Sequence, residues 1–256
     1  MNASPLILLV NDDGVHAPGI LALQAALAHL GEVFIVAPDR DQSSRSHSIT
    51  LHRPLRHCAL DSHRHSVDGT PVDCVYVALN HANLLPRRPT LLVSGINEGS
   101  NLGNDVFYSG TVAAAREGAL RGIPSVALSL SRGGKLDAAL RFAEALVRRL
   151  LSAPPSQGQT ALLNVNLPLV EPKGVRATRL GRRIYEEEVA VRRDPRGGEY
   201  FWIGGSGVRH DAEEGSDTLA NDEGFASITP LWLTSTCEEQ LPFAAALAES
   251  LEGANA

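Results

Sequence analysis

Five short aliphatic runs, each closed by turn-forming residues, constrain what this chain can fold into more than any other feature. Residues Leu6–Val10, 33–37, 91–94, 125–129 and 161–167 lack the alternation of a half-exposed strand and are short for helices, so they read as parallel strands buried on both faces. Helical periodicity appears in the intervals. Residues 20–30 repeat Leu and Ala at three- and four-residue spacing, with Pro18 setting the start and Gly31 the stop. Residues 136–151 do the same, and Arg148 and Arg149 stand near their C-terminal end, where cations suit the helix dipole. Thr70 and Pro71 have the form of an N-cap and first helical residue, which predicts a helix over 71–83. The β-α alternation through about residue 168 predicts an α/β fold, a Rossmann-like, mostly parallel sheet with helices on both faces and right-handed crossovers.

The pattern changes after Pro168. Residues 184–192 and Glu199–Ile203 flank Asp194-Pro195-Arg196-Gly197-Gly198, which predicts a protruding β-hairpin over about 184–203. Its Tyr200, Phe201 and Trp202 need a cover, either a second subunit or the chain's own core. Residues 225–231 return to the core as a strand, and Thr236-Cys237-Glu238-Glu239 has capping-box form, predicting a C-terminal helix over about 237–251. The whole of 1–256 reads as one domain, with its core over about 1–168 and 225–235.

Composition narrows the partners. Hydrophobic residues make up 43% of the chain and aromatic ones 5%, enough for an aliphatic globular core. A formal charge of −6 argues against duplex nucleic acid, whose phosphates call for a basic surface. Cys58, Cys74 and Cys237 are few, odd in number and without C-x-x-C spacing, so no disulfide framework or zinc knuckle is readable. With no apolar stretch long enough to span a bilayer and no signal-peptide pattern in 1–30, the expectation is a cytoplasmic protein with no membrane partner.

In such a fold, ligands bind at the C-terminal lip of the strands. The first run ends in Asn11-Asp12-Asp13-Gly14, which alone is an ordinary turn sequence but crowds two carboxylates at that lip. The second ends in Ala37-Pro38-Asp39-Arg40-Asp41-Gln42-Ser43-Ser44, and the run at 91–94 leads into Gly95-Ile96-Asn97-Glu98-Gly99-Ser100-Asn101, read as a polar loop. All supply hard oxygen ligands suited to Mg²⁺ or Mn²⁺. Tyr108-Ser109-Gly110-Thr111-Val112 opens a helix over 112–120; small hydroxyl residues there suit either a plain N-cap or an anion pocket for phosphate. Arg40 and His47 are single basic residues that a phosphate or simply solvent would accommodate, and His52, His57, His63 and His65 have no tight metal-ligand spacing.

These segments, followed by Ser227-Ile228-Thr229-Pro230-Leu231, stand in the order seen in the SurE family, and the chain resembles that family nearly end to end, hairpin and Trp202 included. SurE proteins are metal-dependent 5′-nucleotidases. The resemblance implies one divalent cation per subunit, Mg²⁺ or Mn²⁺, held by Asp12, Asp13, Ser43 and Asn97; Asp12 and Asp13 are also the catalytic candidates, as acceptors of a proton from water. It places Ser109, Gly110 and Thr111 beside the substrate phosphate, and Asn101, on the same loop as Asn97, is assigned to substrate with them. It further implies nucleoside monophosphates as substrates, extending to 3′-nucleotides and short polyphosphate, and a homodimer or homotetramer assembled through the hairpin and the C-terminal helix. Ser216-Asp217 departs from the family's usual Thr-Asp, a matter of loop detail.

The expected chemistry is metal-assisted attack of water on phosphorus, with a covalent aspartyl-phosphate as the alternative route. Two other classes compete. One is a Rossmann-like nucleotide-sugar or nucleotidyl transferase, although no G-x-G-x-x-G follows the first strand. The other is a non-catalytic module that binds metal and nucleotide.

Overall fold

The computed structural model describes residues 4–152, 160–185, 189–203, 208–211 and 213–254. The aliphatic runs are strands. In chain order β1 (Leu6–Val10), α1 (Pro18–Leu27) and β2 (Glu32–Pro38) come first, then the short β3 (His57–Ala59) and β4 (Arg64–Val67) and the helix α2 (Pro71–Asn80). Next come β5 (Leu91–Glu98), a 3-10 turn (Gly103–Phe107), α3 (Gly110–Leu120), β6 (Ser125–Leu130), α4 (Leu136–Ser152) and β7 (Leu162–Leu167). The remainder comprises β8 (Val175–Ala177), β9 (Arg183–Tyr185), β10 (Val189–Arg193), β11 (Glu199–Ile203), β12 (Val208–His210), α5 (Asp217–Asp222), β13 (Ala226–Pro230) and α6 (Leu241–Ala254).

Nine strands form one sheet in the order β3-β4-β2-β1-β5-β6-β7-β13-β8. Pairing is parallel from β4 through β7; β3 and β13 run antiparallel to β4 and β7. Helices α1 and α4 cover one face, where Ile20, Leu23 and Leu27 meet Ala139, Ala143 and Val147 over Ile7, Leu9 and Val93. Helices α2 and α3 cover the other, where Cys74, Val75 and Ala78 pack with Val112, Ala115 and Ala119 over Leu8, Val10 and Leu92. Burial on both faces explains why these strands are continuously aliphatic.

The fold class is the expected one, and the differences have local causes. Strand β5 runs to Glu98, so Asn97 sits on a strand across a register shift between Ser94 and Asn97, not in a loop. Helix α1 begins at Pro18 itself and ends at Leu27. Gly31 serves close approach, since a Cβ there would strike the Pro5 carbonyl oxygen. Thr70 does cap α2, in a reciprocal box with Asp73. The box read at Thr236 does not form: Cys237 opens a 3-10 turn over Glu238–Gln240 without a side-chain cap, and α6 begins at Leu241. Pro242 is tolerated in the first turn of a helix but not deeper inside one, which places the start later.

The stretch expected as one hairpin arm is two strands. Strand β10 pairs with β11 in the protruding ribbon, whereas β9 pairs with β12. Residues 186–188 of that stretch lie outside the described residues. Short strands β3, β4 and β8 and helix α5 had no legible pattern in the sequence.

Candidate metal centre at the β1–β5 switch point

Strands β2 and β5 flank β1 on opposite sides, so the chain reverses its direction of travel across the sheet there. A crevice forms outside the carboxyl ends of strands at such a point. Asp12 and Asp13 leave β1 at this crevice, and Asn97 reaches it from β5.

The Asn11–Gly14 turn is fixed by its own residues. Asn11 Nδ2 donates to the Gly14 carbonyl at 2.9 Å, and Gly14 has φ of +100°, a conformation that favours glycine. The turn buries Asp12, with 4% of its surface exposed, and leaves Asp13 half-buried. Asp12 lies against the start of α3: a methyl group on Gly110 would come within 3.0 Å of its Cβ and 3.1 Å of its Oδ2. Thr111 Oγ1 donates to Asp12 Oδ1 at 2.5 Å, and the Thr111 backbone N–H donates to the same carboxylate. Ser109 turns its hydroxyl back to accept from the Val112 N–H at 3.1 Å, capping α3.

On the other side of β1, the Gln42 N–H donates to the Asp12 carbonyl at 2.8 Å and holds the β2 loop to the turn. Ser43 next to it is exposed; its N–H and hydroxyl donate to Asp41 Oδ1 at 2.7 and 2.6 Å. Asn97 spends its amide nitrogen on the Gly99 carbonyl at 2.7 Å, so its Oδ1 is the atom left for a ligand. Asn101 is a buried strut. Its N–H donates to Asn166 Oδ1, its Nδ2 donates to Ser129 Oγ, and its carbonyl accepts from both Asn164 and Asn166.

Four carboxylates, those of Asp12, Asp13, Asp41 and Glu98, crowd this lip. Burial first, then the charges of Asp12, Asp41 and Glu98, pushes the Asp13 carboxyl up to about 6. Burial also raises Asp12, against the hydrogen bonds from Thr111. Such a cluster is under electrostatic strain that a cation relieves. Among the described residues no three His, Cys, Asp or Glu side chains form a metal-binding group. Two carboxylates completed by a hydroxyl and an amide oxygen nevertheless fit a hard divalent ion, because neutral oxygens leave net positive charge for an anionic substrate. Asn11 Oδ1, buried without a partner among the described residues, adds an acceptor beside them.

The survival protein SurE family model matches residues 7–187, which include every one of these positions. The chain belongs to the SurE family. It is 53% identical over 250 residues to the 5′-nucleotidase SurE of Sorangium cellulosum, covering 96% of this chain and 97% of that protein. Identity to the 5′-nucleotidase SurE of Aeromonas hydrophila is 48% over 244 residues, 92% of this chain and 95% of that one. The crystal structure of the SurE protein from Aquifex aeolicus matches with a TM-score of 0.83 and 40% identity, over 95% of this chain and 100% of that one.

Against the SurE motifs, the structure brings Asp12, Gly110 and Thr111 into contact and sets Asp13 and Asn97 on the lining of one crevice. Arg40 pairs with Asp39 at 3.6 Å, and His47 is tied to buried Glu117 on α3 at 3.1 Å. Sequence reading did not find the asparagine ladder of Asn164 and Asn166. Its signal was there: two fully buried amides, two residues apart, interrupt the aliphatic run of β7.

Proposed function

We propose that this chain is a divalent-metal-dependent phosphatase that hydrolyses nucleoside 5′-monophosphates to nucleoside and phosphate, with 3′-nucleotides and short polyphosphate as further substrates. The observation that carries this reading is the carboxylate pair Asp12 and Asp13 at the switch point, with Asp12 packed against the start of α3. Full-length similarity to proteins named 5′-nucleotidase SurE supports it. Asp12, Asp13, Ser43 and Asn97 hold one cation per subunit, Mg²⁺ or Mn²⁺. Bound there, the ion supplies Lewis acidity to the phosphoryl group and makes water more acidic.

The chain's own residues do the rest. Thr111 fixes Asp12 in direction through its hydroxyl and N–H, and these bonds favour the ionised form against the opposing effect of burial. The α3 start, with Ser109, Gly110 and Thr111, turns its N-terminal dipole toward the phosphate. Asn101 shapes the loop over it. Asp13, half-buried on the crevice lining, is the carboxylate placed to accept a proton from water, and Asp12, more deeply buried, to orient. Attack by water is the route we favour, because Asp12 Oδ1 is already engaged by the Thr111 hydroxyl.

Phosphate release from AMP with Mg²⁺ or Mn²⁺, abolished by EDTA and by Asp12→Ala, is the expected result. No release from any mononucleotide overturns the reading, and an acid-stable trapped aspartyl-phosphate overturns the water route. No described helix is long and apolar enough to cross a membrane, and we place the protein in the cytoplasm. The ribbon of β10 and β11, with Phe201 and Trp202 59% and 66% exposed, and the apolar side chains of α6 support a homodimer or homotetramer.

A further inference from the structure

Of the four residues assigned to the cation, Ser43 alone is carried by a long loop. Asp12 and Asp13 leave β1 directly and Asn97 lies on β5, whereas from the end of β2 at Pro38 to the start of β3 at His57 the chain forms neither helix nor strand. Ser43 is exposed on this stretch. Ser44 and Ser46 beside it have φ of +59° and +53°, a left-handed conformation that is costly for a residue with a side chain and persists only where the surroundings enforce it. Here α3 enforces it. The Ser46 N–H donates to the Tyr108 carbonyl at 3.1 Å and its hydroxyl to the Phe107 carbonyl at 2.6 Å, just ahead of the helix. His47, half-buried, reaches further along α3, where its Nε2 meets Glu117 Oε2 at 3.1 Å. A carboxylate oxygen only accepts, so the ring donates from Nε2. Glu117 is 5% exposed, and its other oxygen is already taken: Arg121 Nε and Nη2 both approach Oε1 at 2.8 Å. Arg121 in turn lies over the Tyr76 ring of α2, 4.9 Å from its centre. The helix end of this bond is therefore rigid, and the loop is the part it disciplines.

We propose that His47 is a positioning residue for the cation: through Glu117 it straps the loop to α3 and so presents the Ser43 hydroxyl to the metal centre. The inference rests on the reading of Asp12, Asp13, Ser43 and Asn97 as the cation's ligands, and His47 itself touches neither cation nor substrate in it. The strap sits at the right place to act. On the near side of Ser43 the Gln42 N–H bond to the Asp12 carbonyl ties the loop to the β1 turn; on the far side Ser46 and His47 tie it to α3. Beyond them the Ser48 carbonyl accepts from Thr70 Oγ1 at 2.7 Å, and Thr50 donates to Asp73 through its N–H and hydroxyl at 2.8 and 2.7 Å, so the rest of the loop is held independently by the start of α2. Removing the His47 bond thus frees the left-handed turns next to Ser43 without releasing the whole loop. A hydroxyl on a loosened loop must be ordered by the ion that it binds, and that ordering is lost from the affinity. Because α3 also carries Ser109, Gly110 and Thr111, the same strap fixes the Ser43 hydroxyl relative to the helix start that faces the phosphate.

The test reads Mn²⁺ binding to the full chain by calorimetry, with no substrate present. His47→Leu keeps bulk and removes the donor, and His47→Gln restores a donor of similar reach. Groups that orient a metal ligand carry about 10- to 100-fold in affinity, so the Kd for Mn²⁺ should rise ~10-fold in His47→Leu and return to within about 2-fold of wild type in His47→Gln. The Mn²⁺ concentration for half-maximal hydrolysis of AMP should rise with it. In a Ser43→Ala background His47→Leu should weaken binding no further, because its effect runs through Ser43. An unmoved Kd in His47→Leu, no recovery in His47→Gln, or additive losses with Ser43→Ala each overturn the proposal; a lower urea midpoint in EDTA with an unmoved Kd makes the strap structural only. Should His47→Leu fail to fold by circular dichroism, His47→Ala takes its place with the same expectations. If the wild-type protein binds no Mn²⁺, the metal reading and the role of His47 fall together. Binding that every His47 variant leaves untouched removes the strap alone.

Discussion

Thr111 shows how much can hang on one hydroxyl. Its bond to Asp12 spans 99 residues of chain and orients a carboxylate that is almost wholly buried. Replacing Thr111 with Val keeps the shape and removes the donor. A hydrogen bond to a charged group is worth ~1.5 to 3 kcal/mol, so kcat/KM for AMP should fall by about 10- to 100-fold, with Thr111→Ser retaining most of it. Steady-state kinetics of the two variants check this, and equal losses in both would remove the hydroxyl from the account. The residue identities of the site were largely legible in the sequence, because strand-end carboxylates and helix-start hydroxyls carry local signatures. Which atom faces which was not. Nothing near Thr111 in the chain shows that its hydroxyl serves Asp12, or that the Asn97 nitrogen is taken by Gly99.

At the scale of elements, a buried carboxylate joins pieces that share no sequence pattern. Asp217, at the start of α5, accepts the Gly103 N–H on Oδ2 and the Gly181 N–H on Oδ1, at 3.0 and 2.7 Å. It thereby clamps the turn before α3 to the segment that leads into β9, where Asp105 accepts from Arg183 and Tyr185. An Asn at 217 has one acceptor for two donors. Asp217→Asn should cost ~2 kcal/mol, read as a lower midpoint in thermal or urea denaturation. A second linkage lies at the β3–β4 pair, where His57 Nε2 meets His65 Nδ1 at 3.0 Å and His65 is buried. Burial first, then the His57 and His63 charges, holds His65 below its ordinary value of 6.5. The unfolded chain therefore takes up this proton before the fold does, and the stability contribution present above 6.5 is lost as pH falls from there toward the lowered value. Urea midpoints between pH 8 and 5 should decline, and His65→Asn should flatten part of that decline. Elements of this kind have no legible signature in the sequence because strands of three or four residues carry too little period, and partners such as Asp217 and Gly103 lie 114 residues apart.

For the whole molecule, the sheet and its two helical layers follow from the aliphatic runs, since burial on both faces leaves a strand no room for polar alternation. The antiparallel return of β13 and the split of the ribbon into two strand pairs do not follow, because sequence periodicity is blind to strand direction and partner. Assembly is the property decided at this scale. Trp202→Arg on the β10–β11 ribbon is expected to shift the mass measured by light scattering toward the monomer while leaving the far-ultraviolet dichroism intact. An unchanged mass would count against the ribbon as an interface. The main sheet itself is poorly suited to self-association. It ends on β3 at one side and β8 at the other, each of three residues. An approaching strand would find so short a row of free backbone groups that it could not take hold. Closing a long stack of buried aliphatic strands with two stubs denies fibril growth its template, so a chain rich in strong β-formers can carry a large parallel sheet and remain in solution.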